Sequence, residues 1–370
     1  MKPRRLLFVV GRGRLDASSH KRVFDLLPFF RRLGYRAKVM NVQWEALWRW
    51  RLATELGSRP SRIWLCLLNA TRMSTLLGRL QEAVAERRFS RLTRWADTVI
   101  VNQTALVPRW HEILRARSCR LVYDFDDAVW LTRVDAFETM LAASDLAVAG
   151  NQFLADRARR DHPCVAVIPT GVRLDRHEKN PDRRPATGAF EIGAFEIGWI
   201  GSPTTVDHLG MLTGPLTELA RRRPVRLWIV GAGAARIPDF PGVELEVQRR
   251  IPYDPIPWVA GFHVGVMPLP DSEWTRGKCG AKALEYMAAG IPPVCSPVGE
   301  TPQIVEHGVS GLLAADPAAW VEALDLLARD PDLRARLGAA ARERVRALYS
   351  TERVVERWHA VLNPAVPAQV

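Results

Sequence analysis

The sequence predicts an α/β protein of two successive domains, each built around a parallel β-sheet. Three observations carry this expectation. Short apolar runs alternate with helix-length segments from end to end, the pattern of parallel strands joined by crossover helices. The 370 residues exceed one ordinary core and fit two domains of about 150 to 200 residues each. A polar, proline-bearing stretch from Asp175 to Gly188 has the composition of a linker. The expected division is a first domain over 1–175, a linker over 176–190 and a second domain over 191–350.

In the first domain strands are expected near Leu6 to Val10, Ala37 to Asn41, Arg62 to Leu67, Thr98 to Val101, Arg120 to Asp124, Leu146 to Ala149 and Val165 to Ile168. The opening run, Met1 to Val10, could pass for a leader. It ends at Gly11 to Arg14 with no small-residue cleavage site, so it reads as the first buried strand. In the second domain strands are expected at Phe195 to Ile200, Arg226 to Val230, Val243 to Val247, Val264 to Met267, Pro293 to Cys295 and Leu312 to Ala314. Helices are expected over Val206 to Arg223 and Lys278 to Ala289. The segment Gly-Ala-Phe-Glu-Ile occurs in tandem at 188–192 and 193–197; only one copy can feed the strand ending at Ile200. Pro317 to Leu362 reads as consecutive helices broken at Asp330 to Pro331 and Ser350 to Thr351.

Composition narrows the class. Hydrophobic residues at 48% and charged residues at 25% are those of a soluble globular protein, and no apolar run approaches the roughly 18 to 20 residues that span a bilayer. Cys66, Cys119, Cys164, Cys279 and Cys295 are odd in number and free of C-x-x-C spacing. That argues against a disulfide framework or zinc site and for the cytosol. The net charge of +12 is uneven: residues 1–175 hold 30 Lys and Arg against 17 Asp and Glu. Such a surface favours anionic partners, with a solvated arginine-rich bias as the plain alternative. Trp44, Trp48, Trp50 and Trp64 stand among Arg49, Arg51, Arg59 and Arg62, the composition of a membrane interface. Packing into the domain's own core would equally explain Trp64.

The most informative stretch is Gly277 to Thr301. Lys278, Lys282 and Glu285 stand at i, i+4 and i+7, so a helix starting near Lys278 would carry two ammonium groups and a carboxylate on one face. That face could hold the phosphates and ribose of a nucleotide. The turn Pro297 to Thr301 follows, where backbone N–H groups can point at an anion.

This stretch resembles the donor-binding helix and loop of GT-B glycosyltransferases, in the large retaining group called family 4. Ile304 to Leu313, Val122 to Trp130, Ile168 to Val172 and Gly198 to Pro203 are similar to that family in the same order. The resemblance implies two Rossmann-like domains facing across a cleft, with the first binding the acceptor and the second the nucleotide-sugar. It also implies a final helix, 351–362, that crosses back to the first domain.

The roles implied are specific. Lys278 and Lys282 would neutralise the leaving diphosphate, with no metal or other cofactor, and Glu285 would accept hydrogen bonds from ribose. Gly299, Glu300 and Thr301 would wrap the donor's phosphate and sugar, and Gly201 and Ser202 would line the crevice. Gly231 and Gly233 are weaker candidates. Gly277 replaces a glutamate that many relatives place against the transferred sugar; Asp271 or Glu273 could reach the same space. The Arg and Lys pair usual in relatives is not evident in Ser202 to Leu209.

On the first domain Asp126 or Asp127 would take the acceptor proton or bind a sugar hydroxyl, with helix capping as the plain alternative. Asp124 and Asp126 also spell the D-x-D of metal-dependent enzymes. Gly11, Gly13 and Arg22, with Arg12, Arg14, Ser18 and Ser19, would form a loop near the donor phosphates. The implied activity is transfer of a sugar to a glycan, glycolipid or lipid-linked acceptor by a cytoplasmic enzyme lying on an anionic membrane surface. A GT-B epimerase or phosphorylase, a catalytically dead relative and a non-catalytic basic nucleic-acid- or membrane-binding relative remain open. Nucleic acid is not an expected partner, since no recognition motif accompanies the charge.

Overall fold

The computed structural model describes residues 4–11, 13, 16–42, 73–117, 119–178, 193–249 and 256–363. Its contacts divide the chain into two compact units, Met1–Ile168 and Pro169–Val370. The expected strand over Arg62 to Leu67 and the four tryptophans from Trp44 to Trp64 lie outside the described residues, as do Arg12 and Arg14.

The first unit contains β1 (Arg5–Val10), β2 (Arg36–Asn41), β3 (Thr98–Asn102), β4 (Arg120–Phe125), β5 (Leu146–Ala149) and β6 (Val165–Val167). They form one parallel sheet in the order β2-β1-β3-β4-β5-β6. Leu6 to Val10 are all buried, as expected where helices cover both faces of a parallel sheet and strands read as unbroken apolar runs. The chain builds outward from β1 to β2, then crosses back to β3. Loops at the carboxyl ends of β1 and β3 therefore part at a switch point, where such sheets place their ligands.

The second unit repeats the plan with β7 (Phe195–Ile200), β8 (Val225–Val230), β9 (Glu244–Gln248), β10 (Val264–Met267), β11 (Pro293–Cys295) and β12 (Leu312–Leu313). Their order is β12-β11-β10-β7-β8-β9, with parallel pairing throughout. The direction of building reverses between β7 and β10. Of the tandem repeat, the second copy supplies β7, and the first lies outside the described residues.

At this switch point β7 and β10 pair only through Ile197 with Val264 and Gly198 with Gly265. Toward their carboxyl ends the strands are bridged by Tyr286, whose hydroxyl accepts from the Ile200 N–H at 3.0 Å and lies 3.3 Å from the Val266 carbonyl, to which it donates. The fit needs glycine at two places. A Cβ on Gly265 would meet the Tyr286 ring at 2.2 Å, and one on Gly198 would meet the Phe262 ring at 1.9 Å. Tyr286 thereby fixes its helix, Ala281–Ala288, over the carboxyl ends of both strands.

Two local expectations are corrected. The helix expected from Lys278 begins instead at Ala281, because Gly280 takes the left-handed conformation (φ 67°) and Ile304 occupies the space of any Cβ there. Lys278 thus precedes the helix, and the i, i+4, i+7 face does not include it. The helix expected over Val206 to Arg223 is a 3₁₀ stretch, Pro203–Leu212, followed by an α-helix, Thr213–Ala220.

Helices Pro317–Arg329, Pro331–Leu348 and Thr351–Leu362 complete the second unit. Asp316, Asp330 and Ser350 cap them by accepting from the N–H groups of Ala319, Leu333 and Arg353, which satisfies otherwise orphaned donors. Thr351–Leu362 joins the loop after Pro169 through Val172 N–H to Tyr349 O at 2.9 Å and Thr351 N–H to Val172 O at 3.1 Å. Among the described residues no helix is long and apolar enough to cross a membrane.

Candidate functional site

In the second unit Lys282 occupies the switch point. Its ammonium donates to the Thr205 hydroxyl at 2.9 Å and stands 4.6 Å from the centre of the Trp199 ring. Its stem runs past Gly201, where a Cβ would lie 2.9 Å from Lys282 Cε and 2.4 Å from the Trp199 ring. Glycine at 201 is thus what admits the lysine to the end of β7. Burial lowers the Lys282 pKa to about 7, and the Lys278 ammonium adds to the fall. A site short of negative charge has this signature. Ser202, next to Gly201, exchanges a hydrogen bond with Thr204 at 2.9 Å.

Lys278 lies in the loop before the helix, with its ammonium 4.1 Å from the centre of the Trp274 ring. The turn after β11 is built onto the same loop. Gly299 is left-handed (φ 64°), and a Cβ there would come within 2.8 Å of the Thr275 carbonyl and 3.0 Å of the Lys278 carbonyl. Glu300 N–H donates to Lys278 O at 3.3 Å. Lys278, Gly299 and Glu300 are therefore neighbours. Burial pushes the Glu300 carboxyl up to about 7 against the pull of the Arg357 guanidinium. Thr301 is fully buried, and its hydroxyl closes the turn: it accepts from Val298 N–H at 3.1 Å and donates to the carbonyls of Ser296 and Val298. Of the two acids considered for the place of Gly277, Asp271 forms an exposed pair with Arg276 at 2.6 Å. Glu273 opens the short helix Glu273–Arg276, whose capping box is made by Ser272 and Thr275.

Glu285 takes a different partner from Lys282. Its Oε2 lies 3.0 Å from His177 Nε2, and both side chains are buried. His177 belongs to the short helix Leu174–Glu178. Sequence reasoning missed it, since a contact spanning 108 residues leaves no local pattern. Thr205, Trp199 and Tyr286 were missed for the same reason.

In the first unit the switch point carries two layers of polar contacts. Arg22, in the short π-helix His20–Phe24, is 2% exposed. Its guanidinium forks onto Asp124, with Nε at 2.9 and 3.0 Å from the two oxygens and Nη2 on Oδ1. Nη1 donates to the Ile168 carbonyl at 2.9 Å. Asn102 donates to Asp124 at 3.0 Å and accepts from Ser19 at 3.1 Å. Both Asp124 oxygens are thus engaged by Arg22 and Asn102.

Asp126 accepts from Ser18 Oγ and Gln103 Nε2, each at 2.5 Å. Gln103 has the rare positive φ of 48°, which turns its side chain out of the end of β3. Burial pushes the Asp126 carboxyl up to about 7; the Arg22 charge and the Ser18 bond pull the other way, while Asp127 and Asp124 push up. The Asp127 carbonyl accepts from Val129 N–H at 2.8 Å. Neither carboxylate caps a helix: the 3₁₀ turn Val129–Leu131 starts at Ala128 with no side-chain cap among the described residues. Gly11 packs against Thr104, and Gly13 (φ 71°) accepts from Asp16 N–H at 3.3 Å.

Comparison with known proteins agrees with this architecture. Residues 194–330 match the sequence profile of the family described as Glycosyl transferases group 1. A D-inositol 3-phosphate glycosyltransferase from Frankia alni is 42% identical over 262 residues, covering 64% of this chain and 62% of that protein. The chain spans about half the length of other curated relatives that it matches. A glycosyltransferase from Rickettsia africae superposes with a TM-score of 0.68 over 100% of both chains, at 14% identity. Anabaena HepE in complex with UDP and glucose superposes at 0.60 over 98% of this chain and 100% of its own, also at 14% identity. The protein has the GT-B fold, and residues 194–330 of its second unit match the glycosyl transferases group 1 family.

Proposed function

We propose that the protein transfers a sugar from a nucleotide-diphosphate donor to a glycan, glycolipid or lipid-linked acceptor, with retention of configuration and without a metal ion or other cofactor. The observation that carries this reading is Lys282, held at the β7–β10 switch point with its pKa lowered by burial and by Lys278. A diphosphate would supply the missing negative charge, and it gains most charge as it leaves. Cations placed there in advance stabilise the departing group more than the bound donor, which is how such a site accelerates the reaction.

The other residues take supporting roles. Gly299 offers a backbone N–H beside Lys278, Glu300 ties that turn to the Lys278 carbonyl through its own N–H, and Gly201 and Ser202 line the end of β7. Glu285, steadied by His177, is the ribose acceptor in this reading. In the first unit Gly11, Gly13 and Arg22 shape the end of β1, and Asp126, with Asp127 beside it, receives the acceptor proton. A carboxyl raised to about 7 is matched to proton transfer near neutral pH. HepE, bound to UDP and glucose, supports a nucleotide-sugar as donor class. D-Inositol 3-phosphate, named in the Frankia relative, is one acceptor to try. The positive balance of residues 1–175 supports an anionic membrane surface as the working location, on the cytoplasmic side.

The test is a thermal-shift screen of the purified protein against UDP, GDP, ADP, CMP and dTDP sugars, followed by a transfer assay in EDTA. A ligand at 100 times its dissociation constant should add about 2.7 kcal/mol of stability, and transfer should proceed with the chelator present. No shift with any donor, or activity that requires an added divalent ion, would overturn the corresponding part.

A further inference from the structure

The 3₁₀ stretch Pro203–Leu212 follows β7 directly. Three residues make a turn of such a helix, so side chains at i and i+3 eclipse. The burial pattern follows that period: Val206, Leu209 and Leu212 are wholly buried in the core, while Thr204, Asp207 and Gly210 are exposed. The remaining edge carries Thr205 and, one turn later, His208. Thr205 is the residue whose hydroxyl holds the Lys282 ammonium at 2.9 Å, so His208 stands one 3₁₀ turn from that contact, within reach of the charges of Lys282 and Lys278.

Two further facts point to a ligand. His208 Nδ1 is shielded from solvent and has no hydrogen-bond partner among the described residues. A buried polar atom left without a partner is unfavourable, unless something else is to fill its place. Ser202 to Leu209 also contains no Lys or Arg, which leaves His208 as that segment's one side chain able to become cationic.

We propose that His208 is a third group that binds the donor diphosphate, beside Lys278 and Lys282. This rests on the donor reading given above and extends it to a residue on a different element. Burial, Lys282 and Lys278 all lower the His208 pKa, and Asp207 alone opposes them. Without ligand the ring therefore holds a proton less readily than an ordinary histidine, since that proton would face the charges of Lys282 and Lys278. A diphosphate reverses the balance, so its binding draws a proton onto His208 and a further one onto Lys282.

Calorimetric titration with UDP at pH 6.5 and 8.0, in buffers of different ionisation enthalpy, measures both affinity and proton uptake. Wild type should take up protons on binding. His208→Phe keeps the ring shape and removes both nitrogens; His208→Asn is the second variant in case the first folds poorly. Each should bind UDP about tenfold more weakly at pH 6.5, the loss of a charge-assisted hydrogen bond, with a smaller effect at pH 8.0 and reduced proton uptake. Inorganic pyrophosphate should report the same loss. Affinity within twofold of wild type together with unchanged proton uptake would overturn the role of His208 while leaving the donor reading intact. Absence of UDP binding by wild type, with GDP and ADP also failing, would overturn the donor reading and this inference with it.

Discussion

The Lys282 ammonium lies 4.6 Å from the centre of the Trp199 ring, so a cation rests against a wholly buried aromatic side chain of β7. The ring offers its negative face, yet burial and Lys278 together still depress the pKa to about 7. Between pH 7 and the ordinary lysine range the unfolded chain binds this proton more readily than the folded one. The charge therefore opposes folding fully below pH 7, and the penalty fades as pH rises toward 10. Lys282→Met is expected to raise Tm at pH 7, by about 2–4 °C for each kcal/mol relieved, with the gain shrinking at pH 9 to 10. Calorimetric unfolding across that range checks it; a lower Tm at pH 7 would contradict it.

Asp126 should set the acid limb of the pH–rate profile. Its folded pKa of about 7 lies above the usual carboxylate value, so its protonated form stabilises the fold at low pH and this contribution is lost as pH rises through 7. Proton acceptance requires the ionised form. The ratio kcat/KM should climb about tenfold per unit below pH 7 as Asp126 ionises, and fall again above pH 7 as Lys282 loses the proton that lets it hold the donor. Asp126→Asn should lower kcat by about 10²–10⁴ without a loss of Tm at pH 8. A flat profile, or a variant of full activity, would remove Asp126 from the mechanism.

The Arg22–Asp124 pair is buried on both sides, at 2% and 1% side-chain exposure. Removing one partner leaves a charge without compensation. Arg22→Met is expected to cost about 3–5 kcal/mol, read as a lower urea midpoint. A loss below about 1 kcal/mol would mean that water or a rearranged neighbour takes the place of the guanidinium.

Much of the fold was legible in the sequence because parallel strands buried on both faces leave unbroken apolar runs, and Leu6 to Val10 or Leu146 to Ala149 can hardly be read otherwise. The helix start was not. Gly280 looks like any small residue before a helix, and only its left-handed backbone, with the Ile304 side chain filling the space of a Cβ, shows why it must be glycine. Val206, Leu209 and Leu212 fit an α-helix nearly as well as a 3₁₀ stretch, since a three-residue spacing is common to both. Lys282, Asp126 and Glu285 could be singled out from their motifs, but Thr205, Gln103 and His177 are brought to them by pairings 77, 23 and 108 residues apart. Those pairings exist only once the sheets are formed.

Gly299 and Gly210 make a matched pair of tests. Gly299→Ala places a Cβ at 2.8 Å from the Thr275 carbonyl in a left-handed backbone, whereas nothing lies within 4 Å of a Cβ at Gly210. The first change should cost about 1–3 kcal/mol and weaken donor binding by displacing the turn beside Lys278. Gly210→Ala should leave donor affinity unchanged. Equal effects of the two on donor affinity would show that the Gly299 turn takes no part in binding.

The central claim is that cations at the β7–β10 switch point hold the donor's diphosphate. Titration of UDP into the wild type and into Lys278→Ala/Lys282→Ala, with thermal unfolding of both proteins without ligand, tests it most directly. The account predicts saturable binding by wild type, at least 100-fold weaker binding by the double variant, about 2.7 kcal/mol or more, and a ligand-free Tm no lower than that of wild type. Equal affinity of the two proteins for UDP would contradict it.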